Sequence, residues 1–105
     1  MRWSKIFTKL ASVSSPALAE LRDAIDKVDA QLLDLLRRRL ELVLQVGEVK
    51  SALGVKVYDA ERERQVLAKL ESLAKPPMPP ETVRRIFERI IDESRSHEKH
   101  HIDEK

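Results

Sequence analysis

The 105-residue chain is 42% hydrophobic and 36% charged, which bounds it to one small soluble domain whose modest core a second subunit would enlarge. Four per cent aromatics and two glycines argue against a β-rich fold, and the absence of cysteine excludes a disulfide framework and a thiol nucleophile. A net charge of +2 is too mild to imply nucleic acid, and no apolar run approaches the roughly 20 residues of a membrane span, so the cytoplasm is the expected compartment.

Residues 1–16 carry Arg2, Lys5 and Lys9, four serines and no acid. Ala17-Leu18-Ala19 has the look of a signal cleavage site, but Lys9 interrupts the apolar run and a cut there would remove the start of the next helix. A flexible N-terminal extension is the expected reading. Ser15-Pro16 then punctuates a helix start, with Glu20 and Asp23 in the first turns.

Leu18, Leu21, Ile25, Val28, Leu32, Leu35, Leu42, Val46, Val49 and Leu53 recur on a three-four beat, with Arg39 standing in the one missing place. The pattern predicts a single long helix ending near Gly54, about 54 Å in length. A compact globule of this size has a radius of gyration of only about 13 Å. Such a helix cannot bury its stripe against its own short chain and asks for a second copy. Gly47, inside it, costs about 1 kcal/mol relative to Ala, which suggests close approach by a ligand or another backbone.

Val55–Tyr58 reads as an extended connector, and a second helix opens at Asp59 with Val66, Leu67, Leu70 and Leu73 on its apolar face. That face, carried backwards, lands on Glu63. Two prolines on each side of Met78 stop the helix. A third helix starts at Pro80 or Glu81, turns Val83, Ile86, Phe87, Ile90 and Ile91 inward, and carries the same face through Ser94 to Glu98. The folded domain therefore spans residues 17–98, and residues 99–105 read as a polar, frayed tail within a stretch that loses order from His97 on.

Arg39, Glu63, Ser94 and Glu98 are polar where a stripe expects a hydrophobe. A buried charge requires an anionic partner or a polar ligand. Lys50 falls within about 20° of Arg39 on the helix and about 16 Å along it, so both cations can lean towards one small anion. Arg22 points about 100° away and could serve only the pocket of an antiparallel partner. With Asp59 and Glu63 able to accept from a hydroxyl, the set suits a small hydroxylated dianion. Structural ion pairs in a helical dimer are the competing reading. His97, His100 and His101 have metal-capable spacing but no fourth ligand, and no metal site is expected.

These residues, in this order, resemble the all-helical AroQ class of chorismate mutases. The resemblance runs from Leu18 to Glu98 and rests on Leu21–Asp29, on Leu35–Val46 with Arg39, on Val46–Lys50, on Tyr58–Arg64 and on Ile86–Ser94. It implies an all-α fold of three helices per chain, an intertwined homodimer, rearrangement of chorismate to prephenate, and no cofactor. By the same resemblance Arg39 and Lys50 bind carboxylates, joined by Arg22 of the other chain. Lys50 also donates to the ether oxygen, Asp59 and Glu63 hold the ring hydroxyl, Ser94 seats a carboxylate, and Arg62 supports them. Some members have Gln where this chain has Glu98; a carboxyl group donates only when protonated, so activity is expected to fall as pH rises. The rival readings are an isochorismate-pyruvate lyase, which Asp59 and Glu63 disfavour, and a non-catalytic helical dimer or regulatory module.

Overall fold

The computed structural model describes residues 15–104, so the expected N-terminal extension lies almost wholly outside the described residues. Three helices follow in order: α1 (Pro16–Leu53), α2 (Ala60–Ser72) and α3 (Pro80–Asp103). Among the described residues there is no strand beyond an isolated bridge between Lys75 and Met78 in the proline-rich turn, where the Pro76–Pro77 bond is cis. The chain divides into two units at the Arg38–Arg39 junction.

In the first unit, α1 begins where the sequence marks it. The Ser15 carbonyl accepts from Ala19 N (3.1 Å), its side chain accepts a long bond from Leu18 N (3.4 Å), and Pro16 takes the first helical position, where a missing N–H costs nothing. Glu20 lies just past the first turn. Leu21, Ile25, Val28, Leu32 and Leu35 are each half or more exposed. The polar side is laced by Asp23–Lys27 and Asp34–Arg37 pairs, both local and both solvated.

In the second unit, α1 ends in a Schellman cap. Gly54 takes the left-handed conformation (φ 71°), Gly54 N donates to Ser51 O (3.2 Å) and Val55 N to Lys50 O (2.9 Å). Asp59 then caps α2, its Oδ1 accepting from Arg62 N at 3.0 Å. Helices α2 and α3 pack together, burying Leu67, Val83 and Ile91, while Arg84 reaches Glu71 at 2.7 Å. Ile86, expected inward, is 43% exposed.

The expected frayed tail is corrected here. Helix α3 runs on to Asp103, because the tail has partners: His101 Nε2 lies 3.0 Å from Glu48 Oε1, Ile102 is half-buried, and Glu104 N closes the helix on His100 O.

Candidate active site

The polar residues that interrupt the apolar stripes meet around one cavity of about 170 Å³ in the second unit. Arg39, Lys50, Asp59, Arg62, Glu63, Ser94, Arg95 and Glu98 line it, over an apolar floor of valines and Ile91. Three helices supply these groups, so each is placed by a different local rule.

Arg39 and Lys50 come from α1. Arg39 Nη1 donates to Ser94 Oγ (2.9 Å), and Ser94 Oγ donates in turn to Ile90 O (2.7 Å). Ser94 is buried with both roles of its hydroxyl filled. The Arg39 pKa is lowered from its ordinary value, first by desolvation and then by the nearby charge of Arg62. Both causes are relieved by an anion, so this guanidinium is poised to receive one.

Lys50 Nζ donates to Val57 O (2.6 Å) and lies 3.2 Å from Glu98 Oε2. The second contact is an ion pair by distance, yet Glu98 Oε2 is buried and accepts no aligned hydrogen bond. Glu98 is only 5% exposed, which makes that orphaned oxygen costly unless something donates to it.

Gly47 explains how Glu98 fits. A Cβ there would stand 2.8 Å from Glu98 Cγ and 3.5 Å from Ile102 Cγ1. The close approach anticipated at this glycine is real, but the visitor is the Glu98 side chain rather than a ligand or a backbone.

Asp59 and Glu63 stand on α2 and its cap. Glu63 is gripped by Arg95 of α3, through Nε to Oε2 (2.8 Å) and Nη2 to Oε1 (3.1 Å). Arg95 also donates to Asp92 Oδ1 (2.7 Å) and lies with its guanidinium 5.1 Å from the centre of the Tyr58 ring. Its pKa is raised, chiefly by the hydrogen bond to Glu63, with desolvation opposing. The sequence reading missed Arg95. The signal was available, because an acid on an apolar face needs a cation and Arg95 stands one turn beyond the buried Ile91.

Six of the seven expected site residues therefore share this cavity: Arg39, Lys50, Asp59, Glu63, Ser94 and Glu98. Arg22 stands exposed on the first unit and is not among the lining residues. His100 and His101 face Glu104 and Glu48, and among the described residues no cluster of three or more His, Cys, Asp or Glu could hold a metal ion. The cavity can thus hold an anion by two cations while offering carboxylate acceptors to a hydroxyl.

The family model for chorismate mutase type II matches residues 21–99. The chorismate mutase of Methanocaldococcus jannaschii is 32% identical over 88 residues, covering 83% of this chain and 89% of that protein. The T-protein of Enterobacter agglomerans is 47% identical over 78 residues, which is 73% of this chain; the chain spans only 21% of that longer protein. The structure of chorismate mutase from Helicobacter pylori in complex with prephenate matches with a TM-score of 0.79 at 27% identity, covering 85% of this chain and 97% of that one.

Proposed function

This chain belongs to the chorismate mutase type II family, and from that premise we propose that its cavity binds chorismate and rearranges it to prephenate. The observation that carries the reading is the convergence of Arg39, Lys50, Asp59, Glu63, Ser94 and Glu98 on one small cavity.

The rearrangement is intramolecular and pericyclic. It needs no nucleophile and no general base, only a substrate held in its folded, reactive conformer and donors placed where charge develops on the ether oxygen. Arg39, steadied by Ser94, takes one carboxylate. Lys50, on the same helix face, serves a carboxylate and the ether oxygen. Asp59 and Glu63 accept from the ring hydroxyl, with Arg62 behind them.

Glu98 stands at the position from which a side chain would face the substrate beside Lys50. It closes one wall of the cavity, 5% exposed, with Oε2 buried and without an aligned hydrogen bond. The charged group recorded against it is Lys50, at 3.2 Å. Glu98→Gln, which places an N–H donor at this wall, is expected to keep or raise turnover at neutral pH; loss of activity in a folded variant would sink a donor role for this position.

The exposed stripe from Leu21 to Leu35 supports assembly as a homodimer in which Arg22 of each copy completes the cavity of the other. Apolar patches this continuous mark interaction surfaces. No described helix is long and apolar enough to cross a membrane, and we place the enzyme in the cytoplasm.

The deciding experiment supplies chorismate to the purified protein and assays prephenate and pyruvate, with isochorismate run in parallel. Prephenate is expected. Pyruvate from isochorismate alone would replace this reading with the lyase, and neither product from a folded dimer would overturn both.

A further inference from the structure

Arg95 is unusually well held for a surface-facing arginine. Its side chain is 33% exposed, yet it takes the Glu63 carboxylate side-on with two bonds, shares Nη2 with Asp92 and lies against the Tyr58 ring. The three partners come from α2, α3 and the connector before α2. Exposed ion pairs are usually weak because two long side chains lose freedom for a screened attraction. A bidentate fork backed by an aromatic face is the exception, since the planar guanidinium is already ordered before it meets the carboxylate.

Two bonds do not exhaust Glu63. A carboxylate offers about four lone-pair sites, so one on each oxygen remains after Arg95 is satisfied. Glu63 lines the cavity, and its orientation there is set by Arg95. The pairing also removes a difficulty. A free carboxylate at the mouth of a pocket for a dianion repels its own substrate, whereas a carboxylate paired side-on presents acceptor oxygens with its charge offset.

We propose that Arg95 is a positioning residue for the rearrangement, which fixes and charge-compensates Glu63 so that this carboxylate can accept from the substrate's ring hydroxyl. The inference rests on the mutase reading above. Arg95 acts through Glu63 and does not itself hold the substrate, so its effect vanishes once Glu63 no longer has a carboxylate to orient.

The test is a double-mutant cycle on kcat and KM for chorismate, using the full chain, Arg95→Met, Glu63→Gln and the pair. Methionine keeps the reach and packing of the side chain while deleting the fork. Arg95→Lys, which keeps the charge, is carried alongside. Circular dichroism and thermal unfolding are recorded for all. Arg95→Met is expected to lower kcat/KM about 10-fold, mostly through KM, and Arg95→Lys to recover part of that. In the Glu63→Gln background the same substitution is expected to change little.

Wild-type kinetics in Arg95→Met overturn the proposal, whatever happens to its melting temperature, because Arg95 is then only a strut between α2 and α3. A loss of equal size in both backgrounds overturns it as well, since Arg95 then meets the substrate directly. Failure of the parent chain to make prephenate removes the mutase reading and this inference with it, and that arm is read before any variant.

Discussion

The two units of the chain differ in how far their charges reach. In residues 16–38 the described ion pairs are local, Asp23 with Lys27 and Asp34 with Arg37, and they are solvated. The second unit has such local pairs too, Glu61 with Arg64 and Arg89 with Glu93 among them, but there the chain also reaches across sequence: Arg39 to Ser94, Lys50 to Glu98, Glu63 to Arg95 and Glu48 to His101. Apolar groups divide by helix and not by unit. The stripe of α1 is left open in both units, from Leu21 to Leu35 and again from Leu42 to Leu53, whereas Leu67, Val83 and Ile91 on α2 and α3 are buried. Helix α1 runs through both, so its periodicity alone does not decide what a stretch of it does. Arg39, the polar residue that interrupts the stripe, is the point from which α1 turns cations towards the cavity.

Three substitutions sharpen that contrast. The largest effect belongs to Arg39→Ala, which removes a half-buried cation and frees Ser94; kcat/KM should fall about 1,000-fold, the size expected for a lost charge-stabilising donor. Steady-state kinetics with a circular dichroism control check it, and an equal loss of helicity would reassign the residue to stability. Ile25→Glu should come next, since it places a carboxylate on the open stripe. In the proposed dimer each copy would bury a charge, weakening association about 100-fold or more and lowering activity at dilute concentration. Sedimentation across a concentration series measures this, and an unchanged dimer would move the interface elsewhere.

The smallest is Gly47→Ala. A methyl there meets Glu98 Cγ at 2.8 Å, so Glu98 must shift, while the helix gains about 1 kcal/mol of intrinsic propensity. Melting temperature should move little and kcat/KM should drop about 10-fold, an outcome visible when both are measured on one preparation. Undiminished turnover would mean that the position of Glu98 is not critical.

The sequence made the helices legible because each boundary carries local chemistry. Ser15-Pro16, Gly54, Asp59 and Pro79-Pro80 act through their own backbones and caps, and all stand at or next to the ends observed. Most of the site was legible for a related reason, as Arg39, Glu63, Ser94 and Glu98 are visible as faults in a periodic pattern. Arg95 was passed over although it stands one turn beyond Ile91, because its value comes from Glu63 and Tyr58, which are remote in sequence. The final turn was misjudged because Ile102 and His101 look like the end of a polar tail until Gly47 and Glu48 are brought opposite them.

The Schellman turn at the end of α1 has one more consequence. Lys50 offers its carbonyl to Val55 N and its ammonium to Val57 O, so one residue staples both ends of the bend that leads to Asp59. The cation proposed to face the ether oxygen is thus also the fastening of the loop that leads to Asp59, another residue of the cavity wall. Lys50 is therefore not a position that evolution or an engineer can tune alone. Replacing its ammonium removes the bond to Val57 O as well as a charge from the cavity, so a substitution there acts on the corner and the site together.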